Sequence, residues 1–213
     1  LEICNVPDGQ VKTIYLSDGS VVKLNSGSSI EYPQHFKKDR REVYLHGEAV
    51  FSIKHNSSQP FLVHVGDLVI KDVGTRFNVK AYQPRMVVTT LAEGGVREYD
   101  DKSGESVSIR LVPGEQSVFY ANTHRFIKKR VNADDYMAWT DGSLIFRQSP
   151  LSDVIMDISR HFNVKVHIGA GVSVNQLFTT QFSPSESLTD MLEVLSKMGD
   201  FKYSIKDNTV YLN

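Results

Sequence analysis

Cysteine is almost missing from this chain: Cys4 is the only one in 213 residues, so no internal disulfide and no multi-cysteine zinc or iron–sulfur site can form. An excess of charge is missing too. Lys+Arg 24 against Asp+Glu 25 leave a formal net charge of −1, with no global positive field to draw nucleic acid or anionic lipid. No run approaches the ~18 apolar residues that cross a bilayer. Cys4 also lacks the small preceding residues and the apolar signal of a lipoprotein site. The chain opens Leu1-Glu2-Ile3 without methionine, so a trimmed piece of a longer protein is expected.

Catalytic patterns are equally sparse. The seven histidines form no His-Glu-x-x-His, and the closest pair, His161 and His167, falls on a helix end and on a strand. There is no Gly-x-Ser-x-Gly elbow, and neither Gly94-Gly95 nor Gly169-Ala170-Gly171 has the spacing of a phosphate loop. Asp100-Asp101 and Asp134-Asp135 are adjacent at turns, where carboxylates solvate or cap; hydrolysis needs two that face each other across a cleft. Glu48, Glu93 and Glu115 lie beside strands, and spacing alone leaves open whether they meet. Lys37-Lys38-Asp39-Arg40-Arg41 and Lys128-Lys129-Arg130 read as solvated basic loops. No metal, no cofactor and no catalytic activity are expected; the chain reads as one that binds.

What is present is periodicity, at 40% hydrophobic and 23% charged residues. From Val11 to about Lys129 short strands follow one another: Thr13–Leu16 and Val21–Leu24 flank Asp18-Gly19 as a tight hairpin. Val43, Leu45, Ala49, Phe51 and Ile53 then sit at even offsets, as do Phe61, Val63, Val65 and Phe77, Val79, Ala81. After Val131 helical spacing enters. Ser149-Pro150 reads as an N-cap followed by a first-turn proline, and Leu151, Val154, Ile155, Ile158 and Phe162 form an apolar stripe. Ser183 and Glu186 read as a capping box for a second helix carrying Leu188, Met191, Leu192 and Leu195, stopped at Gly199. The two helical blocks repeat 37 positions apart, from Leu151 to Leu188 and Asp153 to Asp190.

The predicted fold is mainly β with a C-terminal α+β module: an all-β sandwich or solenoid-like domain over residues 1–131, then a small β-α-β-β-α-β-β repeat domain over residues 132–213. Two helices are expected to cover one face of a small sheet.

Six blocks in order resemble the FecR family of anti-sigma factors, or sigma regulators. They are Leu16–Asn25 continuing into Ser28–Pro33, Val43–Phe51 with Gly47-Glu48, Pro60–Val63, Val73–Tyr82 with Gly74-Thr75-Arg76-Phe77, Pro113-Gly114-Glu115-Gln116, and the junction Trp139, Gly142, Leu144, Phe146, Pro150, Leu151. The C-terminal repeat is similar to the short N-terminal domain of secretins and TonB-dependent transducers, in the combination common in Bacteroidetes. The resemblance implies the periplasmic sensor part of a single-pass inner-membrane protein, with a cytoplasmic arm and a membrane helix upstream. It implies two partners: the signalling domain of an outer-membrane TonB-dependent transducer, and an extracytoplasmic-function (ECF) sigma factor held by the arm.

For the contact surface, strand addition needs an open edge rather than special side chains. The expected strands are Leu177-Phe178-Thr179-Thr180-Gln181-Phe182 and Thr209-Val210-Tyr211-Leu212. The alternative is direct binding of a carbohydrate or other small ligand by the β half, with Tyr32, Tyr44, Tyr82 and Tyr120 as stacking platforms.

Overall fold

Alternating apolar residues build thirteen strands in the first part of the chain. They are β1 (Glu2–Asn5), β2 (Lys12–Tyr15), β3 (Val21–Leu24), β4 (Ser29–Tyr32), β5 (Arg41–Ser52), β6 (Phe61–Val65), β7 (Leu68–Asp72), β8 (Arg76–Gln83), β9 (Met86–Glu93), β10 (Val96–Asp100), β11 (Gly104–Leu111), β12 (Glu115–Tyr120) and β13 (Arg125–Arg130). The structure, a computed structural model, describes residues 1–83 and 85–213 and divides into two units, Leu1–Met137 and Ala138–Asn213.

The thirteen strands form one hydrogen-bonded sheet whose main path runs β11-β10-β7-β6-β5-β8-β9-β12-β13. The long strand β5 belongs to both halves of it. Its first residues pair with β4 and, in parallel, with β6, while Gly47–Ser52 pair with β8 and Ala49–Ser52 with β3. Side chains from both halves enclose one core, including Val43, Phe51, Phe61, Ile70, Phe77 and Leu91, all fully buried. The sheet curls until its end strands approach, with Lys128 Nζ on β13 donating to the carbonyl of Arg110 on β11 at 3.4 Å. The architecture is thus mainly β and close to a closed barrel.

The bend in β5 sits at Gly47, at φ +89°, where a Cβ would come within 2.7 Å of the Ser28 backbone. Ser28 Oγ in turn accepts the N–H of Glu48 at 2.8 Å, pinning the turn between β3 and β4 to the bend. At the start of β5, Arg41 corrects the reading of its basic run as a solvated loop. It is 1% exposed and donates to Asp18 Oδ2 at 2.6 Å, to the Lys54 carbonyl at 2.9 Å and to the Gln59 carbonyl at 2.9 Å. Its guanidinium also lies over the Phe61 ring. The hairpin predicted at Asp18-Gly19 is present as β2–β3, and Asp18 at its tip is what Arg41 holds.

The second unit contains β14 (Leu144–Pro150), α1 (Leu151–Phe162), β15 (Lys165–Ile168), β16 (Leu177–Phe182), α2 (Leu188–Gly199), β17 (Tyr203–Lys206) and β18 (Thr209–Leu212). The helices keep the repeat spacing at both ends, and each closes on a left-handed residue, Asn163 (φ 52°) and Asp200 (φ 53°). Asp200 therefore makes the stop expected of Gly199. Gly199 instead allows close packing, since a Cβ there would lie 2.7 Å from the Phe201 ring and 2.8 Å from Phe178 Cζ.

Both N-caps differ from expectation. Pro150 occupies the cap position of α1 with no side-chain bond, and the free N–H groups of Leu151 and Ser152 go to the Gln176 and Val174 carbonyls. In α2, Ser183 does receive the Glu186 carboxylate on its N–H, but the helix starts later, under a capping box of Ser187 and Asp190.

Instead of one small sheet there are two. The strands preceding each helix, β14 and β16, pair antiparallel with each other, while the strands following each helix, β15 and β17, flank β18. The duplication explains the split: equivalent strands of the two copies associate, and the unduplicated β18 fills the place between β15 and β17. One core, with Val154, Ile158, Phe178, Leu192, Leu195 and Val210, ties the helices to both sheets.

Two glycines with positive φ separate steric from conformational cost. Gly66 (φ +58°) has open space around it, so Gly66→Ala is expected to cost about 1–2 kcal/mol. Gly47→Ala adds the Ser28 clash and is expected to cost at least about 3 kcal/mol. Guanidinium unfolding of both variants checks this; equal losses would contradict the assigned role of the bend.

Candidate protein-interaction surface

Of the two strands expected to offer an edge, only β16 has one. β18 lies inside its sheet with partners on both sides, and Val210 and Leu212 are fully buried. Thr209 is half-buried, and Tyr211 packs its ring 5.8 Å from that of His167. The expectation of strand addition at Thr209–Leu212 is corrected accordingly. The reason is non-local: the last strand of the chain inserts between β15 and β17, and nothing in its own alternation distinguishes a central strand from an edge.

β16, among the described residues, hydrogen-bonds to β14 alone. Its two faces differ sharply. Phe178 and Phe182 are 1% exposed; Phe182 meets Phe146 edge-on at 6.4 Å, and Phe178 reaches over Gly199. Leu177, Thr179 and Gln181 point the other way and are exposed, with Thr180 half-buried between the two phenylalanines. Across the pair, β14 bulges at Gln148 (φ 49°), and Thr179 Oγ1 accepts both the Gln148 N–H at 3.0 Å and its side-chain amide at 3.1 Å. The strand is thus fixed in register by two aromatic anchors and a hydroxyl while one edge stays open.

Exposed apolar side chains occur at the start of β16 and on α2. Gln176 Nε2 donates to the Met198 carbonyl at 3.1 Å, which sets Leu177 beside the C-terminal end of α2. Leu177 (55% exposed), Val194 and Met198 are large apolar side chains left in solvent there, the last two one turn apart on the helix. Backbone groups for pairing and apolar side chains for burial are what a strand-adding partner uses. Asp190 at the other end of α2 is held below the usual carboxylate range by its hydrogen bonds to Ser187, so the cap keeps its charge at neutral pH.

The residues considered for chemistry do not converge. Glu48 accepts from Asn25 and Asn78, Glu93 faces Arg76 at 3.8 Å, and Glu115 takes Lys128 at 3.1 Å and the Val112 N–H. Asp100 binds His124 at 3.1 Å and the Ser103 N–H; Asn132 bonds the Asp134 N–H and Asp135 as the cap of a short 3-10 turn, Ala133–Tyr136. No group of three His, Cys, Asp or Glu among the described residues could hold a metal ion. No described helix is long and apolar enough to cross a membrane. Of the tyrosines weighed as platforms, Tyr32, Tyr82 and Tyr120 are half-buried, Tyr82 donating to the Ser26 carbonyl at 2.6 Å; Tyr44 is exposed.

Three buried ionisable groups escaped the sequence reading, Arg41, Asp72 and Glu98. Parity was the available signal, since Arg41 is in step with Val43 and Leu45, and Glu98 with Val96, all of them core positions. Glu98 is fully buried inside the curled sheet, with Ser117 donating to Oε2 and Oε1 without a partner. Burial raises its pKa to about 7, outweighing the Ser117 and Thr89 hydroxyls that favour the ionised form. Perturbed acids often mark active sites, but Glu98 has no second carboxylate among its partners. Asp18 shows the opposite outcome: burial pushes it up, but hydrogen bonds from Ser20 and Arg41 outweigh this and hold it below the usual range.

Comparison with known proteins agrees over nearly the whole chain. Residues 3–97 match the family model described as FecR protein, and residues 143–212 match the one described as FecR, C-terminal. Two crystal structures of a candidate anti-sigma factor from Parabacteroides distasonis ATCC 8503 are similar to it. One has TM-score 0.92 at 29% identity, covering 100% of this chain and 99% of that one; the other has TM-score 0.91 at 29% identity, covering 99% and 97%. No curated protein gives a significant match.

Because Glu98 is raised from 4.5 to about 7 in the folded state, the fold holds an extra proton between those values, and stability falls as pH rises through about 7. At about 1.4 kcal/mol per pH unit, the loss is roughly 3 kcal/mol between pH 4.5 and 8. Glu98→Gln is expected to remove that component. Urea melts of both proteins across the range test it, and parallel pH profiles would contradict the buried-acid account.

Proposed function

The chain belongs to the FecR family of anti-sigma regulators, and from that premise we propose that it is the periplasmic sensor portion of a transmembrane anti-sigma factor. In this reading the signalling domain of a ligand-loaded TonB-dependent transducer docks on the second unit. The contact is relayed to a cytoplasmic segment that releases an ECF sigma factor. The chain acts by binding, and no residue of it performs a reaction.

The open, pre-ordered edge of β16, with Leu177 exposed at its start, carries the proposal. A partner strand pairing there gains main-chain hydrogen bonds without reorganising β16, because Phe178 and Phe182 already fix it; pre-organisation lowers the cost of association. Leu177, Val194 and Met198 supply apolar area worth about 25 cal/mol per Å² covered. The first unit also has edge strands, β1, β2, β11 and β13; of these β13 is a basic edge, with Arg125, Lys128, Lys129 and Arg130 exposed, of the kind that discourages pairing.

Calorimetric titration of the chain with the signalling domain of the transducer encoded nearest to it tests this reading. Leu177→Asp and Met198→Asp are each expected to weaken binding at least tenfold, about 1.4 kcal/mol, with Tm unchanged because both side chains are exposed. Tyr15→Asp, on the first unit and 77% exposed, is expected to leave affinity intact. Equal binding by all three variants would remove the β16 surface from the account.

A further inference from the structure

The first unit carries a feature that strand pairing does not use. A cleft of about 280 Å³ is lined by Pro33, Phe36, Lys37, Arg40, Glu42 and Tyr44, together with Leu1 and His35. Tyr44 projects from β5 and is 43% exposed. One face of its ring is covered by His64 of β6, stacked at 4.7 Å and 18°. Tyr44 lines the cleft together with Pro33 and Phe36. Phe36 is itself held edge-on at 5.8 Å against Phe61 in the core, so the apolar wall is anchored.

The polar groups converge beside these rings. Arg40 Nε donates to Glu42 Oε2 at 2.9 Å, His64 lies 3.4 Å from Glu42 Oε1, and Lys37 stands 4.0 Å away. Burial pushes Glu42 up, but Arg40 and His64 outweigh it, so the carboxylate stays ionised at neutral pH beside a guanidinium with donors to spare. The cleft therefore presents an electron-rich ring face, charged donors and a charged acceptor within one small volume. A purely apolar ligand would strip water from Arg40 and Glu42 without replacing its hydrogen bonds. A polyanion would meet Glu42. The volume lies just under the roughly 300–1,000 Å³ of drug-sized sites, room for one ring.

We propose that this cleft binds one pyranose ring of a saccharide, with the apolar face of the sugar on Tyr44 and its hydroxyls on the Arg40–Glu42 pair. The proposal is independent of the docking surface on the second unit, so either can fail without the other. It also gives the sensor a direct input from a sugar, besides the one delivered by a partner protein.

Amide chemical shifts of the whole chain, followed during titration with the methyl glycosides of glucose, galactose and N-acetylglucosamine, test it. At least one glycoside is expected to move the amides of residues 33–44 and His64, with a Kd on the order of 1 mM. Tyr44→Ala and Arg40→Gln should each weaken binding at least fivefold without changing Tm, while Tyr44→Phe, which keeps the ring, should bind as the parent does. The proposal is overturned if no glycoside moves these amides, if Tyr44→Ala binds unchanged, or if adenosine monophosphate is bound there in preference to every glycoside.

Discussion

The first unit depends on one strand being able to serve both halves of a sheet. β5 pairs on one side of Gly47 with β4 and β6, and on the other with β3 and β8; the change of partners needs a backbone conformation and a proximity to Ser28 that only glycine allows. Once β5 bends there, its even-numbered offsets still face inward, so Val43, Leu45, Ala49 and Phe51 remain in one core. Arg41 then locks the far end of the strand. Its three hydrogen bonds join the β2–β3 hairpin, the end of β5 and the approach to β6, a cross-link that no single apolar side chain could make. Breaking such a buried pair by removing one partner costs about 3–5 kcal/mol, so the bend and the clamp together define the shape.

The second unit solves a different problem with the same economy of parts. Two copies of a strand–helix–strand block are too small to bury their helices alone, but pairing like with like gives two sheets and one core. The arrangement leaves β16 rigid from within and open along one edge, and places exposed apolar residues of α2 next to it. Rigidity and openness together are what strand-mediated recognition requires, and they follow directly from the duplication, because equivalent strands in a two-stranded sheet each retain a free side.

Local signals were legible and long-range ones were not. The hairpin at Asp18-Gly19, the buried parity of Phe61, Val63 and Val65, and the repeat of two helices could be read because each depends on neighbours within a few residues. The interior position of β18 could not, since strand order is decided by partners far away in sequence. Arg41 was hidden by composition: among Lys37, Lys38 and Arg40 it reads as one more surface charge, although its parity with Val43 marked it for the core. The helix starts were displaced for a related reason. At α1, carbonyls of the segment before β16 satisfy the N–H groups that the sequence pattern assigned to a serine.

The fold is held by buried polar clamps, and in the proposed reading the binding edge lies on the smaller unit, where β16 is open along one side and Leu177 is exposed. The most direct measurement of that reading is amide hydrogen exchange of the chain with and without the signalling domain of the proposed transducer. The account predicts that protection rises on β16 and at the C-terminal end of α2, with β18 unchanged because its amides are already paired on both sides. New protection confined to the first unit, with β16 exchanging as freely as before, would contradict it.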